Sequence, residues 1–506
     1  WYWILHMSKE YILAIDQGST GTTAALVTKQ GKLFASSYRE IHQYYPRPGW
    51  VEHDPYEILK SVYECIQELL ETANVASKNI VAMGMTNQRE TTVIWEKETG
   101  EVIHKAIVWQ CRRTASICHE LMQTADAEKI TKITGLSIDP YFAATKIKWI
   151  LDTIPGAREK ANQGKLAFGT VDSWLIWNMT GGKKHVTDLT NASRTMLLDL
   201  RAHEWSQEIL DILDIPKGIL PQIYDSDGDF GSCEIGVLGN SKLPITGVAG
   251  DQHASLFGQA CFKVGEAKCT YGTGAFLLMN TGDQIKESNK GLLSTIAWKV
   301  NGRVEYALEG SVFSAGATIQ WLRDELNIID SASLVEKLAR SVDDTGGVYF
   351  VPAFTGLGAP HWDMDARGTI VGLTRGANKA HIARAALEAI AYQCEEVLKI
   401  MQQDSSTDIL ELKVDGGATN NALLMQMQAD ISDCRVNRSA VQETTVLGAA
   451  FIAGIGSGIW NSTSDITEMW TSQKVYTPLM ERTERDRKMN NWSKAVERSK
   501  TWVSDL

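Results

Sequence analysis

Residues 58–70 place Ile58, Leu59, Val62, Ile66, Leu69 and Leu70 at helical spacing, and the apolar run I80-V-A-M-G-M-T86 that follows reads as a strand. The same exchange of periods recurs along the chain. T91-T-V-I-W95 predicts a strand closed by the turn E98-T-G100, and a strand near Leu166 leads into a helix over V171-D-S-W-L-I-W-N-M179. Beyond Gly250 the pattern restarts. K268-C-T-Y-G-T-G-A-F-L-L-M279 is strand-like around a glycine turn, and long helices are predicted over 314–326 and 379–401. The second has an apolar face of Ile382, Leu387, Ile390, Cys394, Val397 and Met401. The run V446-L-G-A-A-F-I-A-G-I-G-S-G-I-W460 is too short and too interrupted by glycine to span a membrane, so it predicts a closely packed core helix. Alternation of this kind implies an α/β architecture in two halves.

The segment I12-L-A-I-D-Q-G-S-T-G-T-T-A-A-L-V27 breaks two apolar runs with an acid, glycines and hydroxyls. A tight β-hairpin accounts for the glycines and for Ser and Thr in the turn. A phosphate cradle accounts for them equally, with backbone N–H groups and hydroxyls aimed at an anion and Asp16 beside a divalent metal. A second stretch, E411-L-K-V-D-G-G-A-T-N-N421, echoes L13-A-I-D-Q-G-S-T20 in the order strand, Asp, glycine, small residue, Thr. The echo suggests a duplicated fold that clasps one nucleotide between two lobes. The chain contains no GxxxxGK[ST], GxGxxG or HExxH, which removes the usual support for P-loop, dinucleotide-binding and zinc-protease chemistry.

Composition narrows the class further. A length of 506 residues predicts two or three domains, and 44% hydrophobic content is ample for their cores. The formal charge of -11 argues against nucleic acid or an anionic membrane as partner. Eight cysteines without a CxxC pair suit free thiols in a reducing compartment, and the location expected is cytoplasmic. W1-Y-W-I-L-H6 is apolar but short and lacks a basic flank, so residues 1–7 are read as an upstream extension.

In order along residues 9 to 500 stand D16-Q-G18, T86-N-Q-R-E-T-T-V-I-W95, A106-I-V-W-Q-C-R-R-T114, D139-P-Y-F142 and G169-T-V-D-S-W-L-I-W177. T190-N-A-S-R-T-M196, G250-D-Q252, Y271-G-T-G274, V351-P-A-F-T-G-L-G-A359, D415-G-G417 and L447-G-A-A-F451 complete the series. With these motifs the chain resembles the FGGY family of carbohydrate kinases, and within it the members that act on glycerol. The resemblance implies two ribonuclease H-like domains of the actin and Hsp70 ATPase kind, with a nucleotide and substrate cleft between them. The N-terminal domain is expected over residues 8–257 and the C-terminal, nucleotide-binding domain over 258–506. It also implies ATP and Mg²⁺ as cofactors, glycerol as acceptor, and a homo-oligomer (dimer or tetramer).

The same resemblance assigns candidate residues. Asp16 would position Mg²⁺, and Ser19, Thr20 and Gly21 would contact the ATP phosphates, with Thr273 facing them from the second half. Gly316, Gln320, Gly417 and Asn421 would line the nucleotide, although both glycines also fit simple turn or packing roles. On the acceptor side, three hydroxyls on a short carbon chain call for several fixed polar groups and an apolar wall. Arg89 and Glu90 offer a donor fork and an acceptor side by side, and Tyr141, Asp251 and Gln252 complete the polar set. Trp109 and Phe276 are the candidate wall. Asp251 follows the strand I245-T-G-V248 and Gly250 at the mouth of a helix, where a carboxylate also serves as a cap. The resemblance makes it the general base.

Two departures stand out. The family's first loop commonly runs D-Q-G-T-T-S-S-R and ends in a phosphate-contacting arginine, where this chain has Thr23. Some bacterial members carry a glycine- and lysine-rich loop for fructose 1,6-bisphosphate, and G231-S-C-E-I-G-V-L-G-N-S241 lacks that lysine-bearing cluster, so inhibition by that route is not expected. A pentulose or hexulose kinase, and a nucleotide-dependent scaffold that has lost catalysis, are the competing readings.

Overall fold

The computed structural model describes residues 11–503, so the extension predicted over residues 1–7 lies outside the described residues. The chain forms two compact units. The first comprises residues up to Ala260 together with Thr295–Tyr306 and Thr444–Trp470; the second comprises Cys261–Ser294, Ala307–Glu443 and the chain from Thr471 onward.

The first unit is built on strands β1 (Tyr11–Gln17), β2 (Gly21–Thr28), β3 (Leu33–Glu40), β4 (Ile80–Asn87), β5 (Ser232–Cys233) and β6 (Leu243–Gly250) in the order β5-β6-β4-β1-β2-β3. β1 pairs antiparallel with β2 and parallel with β4, and β6 is parallel to β4. β1 is buried through residue 15, as a central strand covered on both faces must be, whereas β3 at the edge alternates between half-buried and exposed positions. The helix Pro55–Ala73 covers one face. Its start follows from Asp54, whose carboxylate accepts the Tyr56 N–H at 2.9 Å, with Pro55 in the first turn. Ile58, Val62, Ile66 and Leu69 of the predicted apolar face are fully buried, Leu59 and Leu70 are half-buried, and Cys65 joins the buried set.

The 446–460 run forms the helix Thr444–Gly456 and returns to the first unit. Gly448 lies so close to the Ala254 carbonyl that a β-carbon has no room, which lets this helix press on the helix Asp251–Gly258 that begins at the candidate base.

The second sheet, whose residues 295–300 and 303–306 count with the first unit and the rest with the second, contains β7 (Ala267–Tyr271), β8 (Ala275–Gly282), β9 (Leu293–Val300), β10 (Arg303–Val312), β11 (Glu411–Asp415), β12 (Arg435–Ser439) and β13 (Ser472–Tyr476) in the order β9-β10-β8-β7-β11-β12-β13. β7 pairs antiparallel with β8 and parallel with β11, and β11 is parallel to β12. Helices over Gly316–Asp324 and Lys379–Ser405 match the two predicted for this half, the second running one turn further.

Each sheet thus has a first strand, a hairpin partner on one side and parallel strands on the other. The duplicated ribonuclease H-like plan holds, but the sequence echo identifies the wrong pair of strands. β11, which carries D415-G-G417, is the parallel neighbour of β7 and so corresponds to β4. The counterpart of the β1–β2 hairpin is β7–β8, around Gly272–Thr273–Gly274. A strand ending in Asp and glycine looks alike whether the chain then turns back or enters a helix, because strand partners are set by distant residues.

Candidate active site

The opening loop of the first unit is a hairpin turn, with the Gly18 N–H donating to the Gly21 carbonyl at 2.8 Å. A web of buried amides ties it to the segment after β4. Gln88 Nε2 donates to Gln17 Oε1 at 3.1 Å and to the Gly18 carbonyl at 3.2 Å. Thr91 Oγ1 donates to Gln88 Oε1 at 2.8 Å, and the Trp109 N–H reaches Thr91 Oγ1 at 3.3 Å. The Trp109 indole then donates to Ser19 Oγ at 2.7 Å. That bond uses an acceptor position of Ser19 and leaves its hydroxyl hydrogen able to donate to an anion.

Around Arg89 the predicted acceptor residues converge. Arg89 is 2% exposed; its Nε lies 3.2 Å from Asp251 Oδ1 and 3.8 Å from Glu90 Oε1, and its Nη2 donates to the Tyr141 hydroxyl at 3.3 Å. Glu90 is buried and holds a left-handed backbone, φ 59°, a conformation that costs energy outside glycine and persists where the surroundings impose it. Trp109 and Tyr141 meet edge to face at 5.5 Å. Behind Tyr141, Lys146 Nζ donates to the backbone carbonyls of Tyr141 at 2.6 Å and Phe142 at 3.2 Å. Burial pulls its amine down to about 8, against the nearby negative charge of Glu90.

Asp251 is the first helical residue rather than the cap, since Gly250 occupies the cap position. Its Oδ1 accepts the Gln252 N–H at 2.7 Å. Gly250 is required here. A β-carbon would stand 2.7 Å from Arg89 Cγ, so the glycine lets the arginine lie along the helix start.

Asp16 stands at the end of β1, half-buried and opposite Thr23 in the antiparallel register, so the two side chains share a face of the sheet. Burial, with the Asp251 charge as a smaller cause, pushes its carboxyl up to about 7. A carboxylate so disfavoured lacks a counter-charge, and a divalent cation bound by hard oxygens would supply it. Among the described residues no cluster of three or more His, Cys, Asp or Glu forms a protein-only metal cage. One carboxylate plus nucleotide phosphates is the donor set Mg²⁺ commonly takes, so the residues fit that ion.

In the second unit the remaining candidates gather at the ends of β7 and β11. The carbonyl of exposed Thr273 accepts the N–H groups of Ala315 at 2.9 Å and Ala317 at 3.0 Å, which docks the start of the helix Gly316–Asp324 on the hairpin turn. Gly316 is a packing glycine in this arrangement, because its N–H bonds the Gly272 carbonyl at 3.0 Å and a β-carbon would meet that oxygen at 2.5 Å. Gln320 is exposed one turn further along. Gly417 is exposed, with open space where a β-carbon would be. Asn421 caps the helix Ala422–Ser432, its Oδ1 accepting the Leu424 N–H at 2.9 Å. Phe276 is half-buried on β8, in a different unit from Trp109.

Sequence reasoning assigned no role to Arg194, which is fully buried and donates from Nε to Glu90 Oε1 at 2.7 Å. Thr190 was missed as well; its hydroxyl accepts the Gly250 N–H at 2.8 Å and donates to Asp188. The signal was present in T190-N-A-S-R-T-M196, a motif in which a cation among small residues had no assigned partner.

A partly open carboxylate paired to a buried guanidinium, beside a hydroxyl-lined hairpin turn, is an arrangement suited to moving a proton off a small polar acceptor next to an anion. Residues 11–258 match the N-terminal domain of the FGGY family of carbohydrate kinases, and residues 267–457 match its C-terminal domain. The chain belongs to that family. It is 54% identical to a glycerol kinase of Alkaliphilus metalliredigens, covering 98% of this chain and 99% of that one. It is also 54% identical to a glycerol kinase of Symbiobacterium thermophilum, over 99% and 100%. Among solved structures, the glycerol kinase of Plasmodium falciparum with ADP superposes with a TM-score of 0.91 at 37% identity over 98% of this chain and 99% of that one. A ligand-bound xylulose kinase from Lactobacillus acidophilus gives 0.87 at 25% identity over 96% and 97%.

Proposed function

We propose that the protein phosphorylates glycerol with ATP, giving sn-glycerol 3-phosphate and ADP. The observation that carries this reading is the buried Arg89 set, in which one guanidinium joins the Asp251 carboxylate and the Tyr141 hydroxyl next to Glu90. Such a set matches neighbouring hydroxyls of a short polyol with a donor fork, an acceptor and a base. The naming of the full-length relatives as glycerol kinases supports it.

Asp251 serves as the general base. Its Oδ1 is engaged by Arg89 and by the Gln252 N–H, which leaves Oδ2 to take the proton of the attacking hydroxyl. As that O–H bond breaks, the oxygen forms its bond to the γ-phosphorus, and the electrons of the cleaved phosphoanhydride bond leave with ADP. Gln252 and Glu90 orient the remaining hydroxyls, and Trp109 and Phe276 shield the carbon chain. Ser19, Thr20, Gly21 and Thr273 hold the phosphates; Gly316, Gln320, Gly417 and Asn421 line the rest of the nucleotide. Asp16 would hold Mg²⁺ together with the nucleotide phosphates, and the ion would supply charge neutralisation on the transferring group. In this reading residues 8–257 form the acceptor domain and residues 258–506 the nucleotide domain, in a cytoplasmic homo-oligomer (dimer or tetramer). Among the described residues no helix is long and apolar enough to cross a membrane.

The test is a panel of glycerol, D-xylulose and D-gluconate with MgATP, the products identified by ³¹P NMR. Glycerol should give the highest kcat/KM and a single primary phosphate ester. A higher efficiency for either sugar substrate removes glycerol as the intended acceptor.

A further inference from the structure

Arg194 follows the short helix Leu189–Ala192, in a turn braced on several sides. Its own N–H bonds the Asn191 carbonyl at 3.0 Å, the Thr195 carbonyl accepts from Ala144 at 2.8 Å, and Ser193 Oγ meets Thr295 Oγ1 at 2.8 Å. From this fixed backbone the guanidinium reaches Glu90 Oε1 at 2.7 Å, with both side chains at most 1% exposed. The guanidinium carbon also lies 5.6 Å from the ring centre of Tyr141 and 5.4 Å from that of Phe142, within cation–π range of both.

Arg89 is already divided among Asp251, Tyr141 and Glu90, and it stands 3.8 Å from the Glu90 oxygen that Arg194 holds at 2.7 Å. A buried carboxylate left without a cation is expensive, and a shared one relaxes toward whichever partner remains. With Arg194 removed, Arg89 would turn toward Glu90 and away from Asp251. The four groups therefore form a chain, Asp251–Arg89–Glu90–Arg194, whose closed end lies away from the base.

We infer that Arg194 is a positioning residue of the acceptor site. It holds the Glu90 carboxylate and the Tyr141 ring in place for the substrate hydroxyls, and it frees Arg89 to pair with Asp251. It does so without touching the substrate. This rests on the reading of the Arg89 set as the glycerol site.

The experiment measures KM for glycerol, KM for ATP and kcat in wild type, Arg194→Lys, Arg194→Met, Glu90→Gln and the Glu90→Gln/Arg194→Met double variant. Failure of wild type to turn over glycerol would break the glycerol reading itself and the inference with it. Given an active wild type, Arg194→Met should raise KM for glycerol by about 10- to 100-fold and leave KM for ATP within about twofold, because misplaced groups cost acceptor binding first. The lysine variant keeps the buried charge without the planar fork and should fall between wild type and Arg194→Met. The double variant should be no worse than its weaker parent, since both substitutions act through one carboxylate. If Arg194→Met does not fold, Arg194→Lys alone decides, with a rise in glycerol KM of about fivefold or more expected. A folded variant with unchanged glycerol KM, a parallel rise in both KM values, or additive losses in the double variant overturns the assignment.

Discussion

In the first unit the site is made of side chains: Arg89, Glu90 and Arg194 are almost wholly buried and joined by ion pairs around the half-open Asp251. In the second it is made of backbone, where Gly272, Thr273 and Gly316 interlock through main-chain bonds and exposed Gln320 and Gly417 lie nearby. On the proposed function, the difference follows from what each set of residues would recognise. A polyol has no charge, so selectivity needs groups held at fixed distances, and burial with ion pairing holds them. Phosphates are large anions that backbone N–H groups and hydroxyls meet from a turn with few committed side chains. Losses in the buried side-chain set should therefore be steep and specific to the acceptor, and those in the phosphate-facing turns more graded.

The steepest loss expected is at the base. Asp251→Asn keeps the shape and an acceptor for the Gln252 N–H, so folding and ATP binding should survive while kcat falls by about 10²–10⁴. A kcat near wild type in steady-state assays would place the base elsewhere. Next comes acceptor discrimination. Glycerol should exceed propane-1,2-diol by roughly 10² in kcat/KM, because the deoxy analogue leaves a buried polar group unpaired. Equal values for the two would mean that the Arg89 set does not read hydroxyls.

The phosphate loop should respond more gently. Thr23 faces the same side of the sheet as Asp16, directly across the strand pair. Thr23→Arg would put a cation beside a carboxyl now held at about 7, lowering it and adding a charge-assisted contact for phosphate. KM for ATP should fall, or kcat rise, by about tenfold, ~1.4 kcal/mol, and the gain should shrink with salt. Gly21 packs against the Tyr38 hydroxyl, so the alternative outcome is a loop without room for the longer side chain. Unchanged or poorer kinetics in a folded variant would show that another group already does this work.

The smallest effect is thermal. Asp172 is fully buried between the hydroxyls of Thr170 and Thr187, and burial raises its carboxyl from 3.8 to about 7. A folded-state value above the unfolded one stabilises fully below the unfolded value and is lost as pH rises through the folded value. Tm should accordingly decline between about pH 4 and pH 7, and Asp172→Asn should flatten that decline. A Tm in wild type that rises across this interval would contradict the burial argument.

Much of this architecture was legible in the sequence where one element carries its own pattern. The helix Pro55–Ala73 announces itself by its apolar spacing, and the helix Thr444–Gly456 by a glycine-interrupted apolar run too short to span a membrane. The acceptor residues were legible as motifs, and Arg89, Glu90, Tyr141 and Asp251 do converge. What was hidden depends on distant partners. The echo of D16-Q-G18 in D415-G-G417 misled because the strand ends look alike while their neighbours in the sheet differ. Arg194 escaped notice because its partner, Glu90, lies 104 residues away in the chain. The return of residues 295–306 and 444–470 to the first unit leaves no local trace either.

The central claim is that the side-chain site in the first unit activates a glycerol hydroxyl through Asp251. Coupled ADP release from MgATP, measured with and without glycerol in wild type and Asp251→Asn, tests it most directly. The account predicts release that depends on glycerol in wild type and a loss of about 10²-fold or more of that dependent rate in the variant, with nucleotide binding retained. Release that is the same with and without glycerol, or equal in the two proteins, would contradict it.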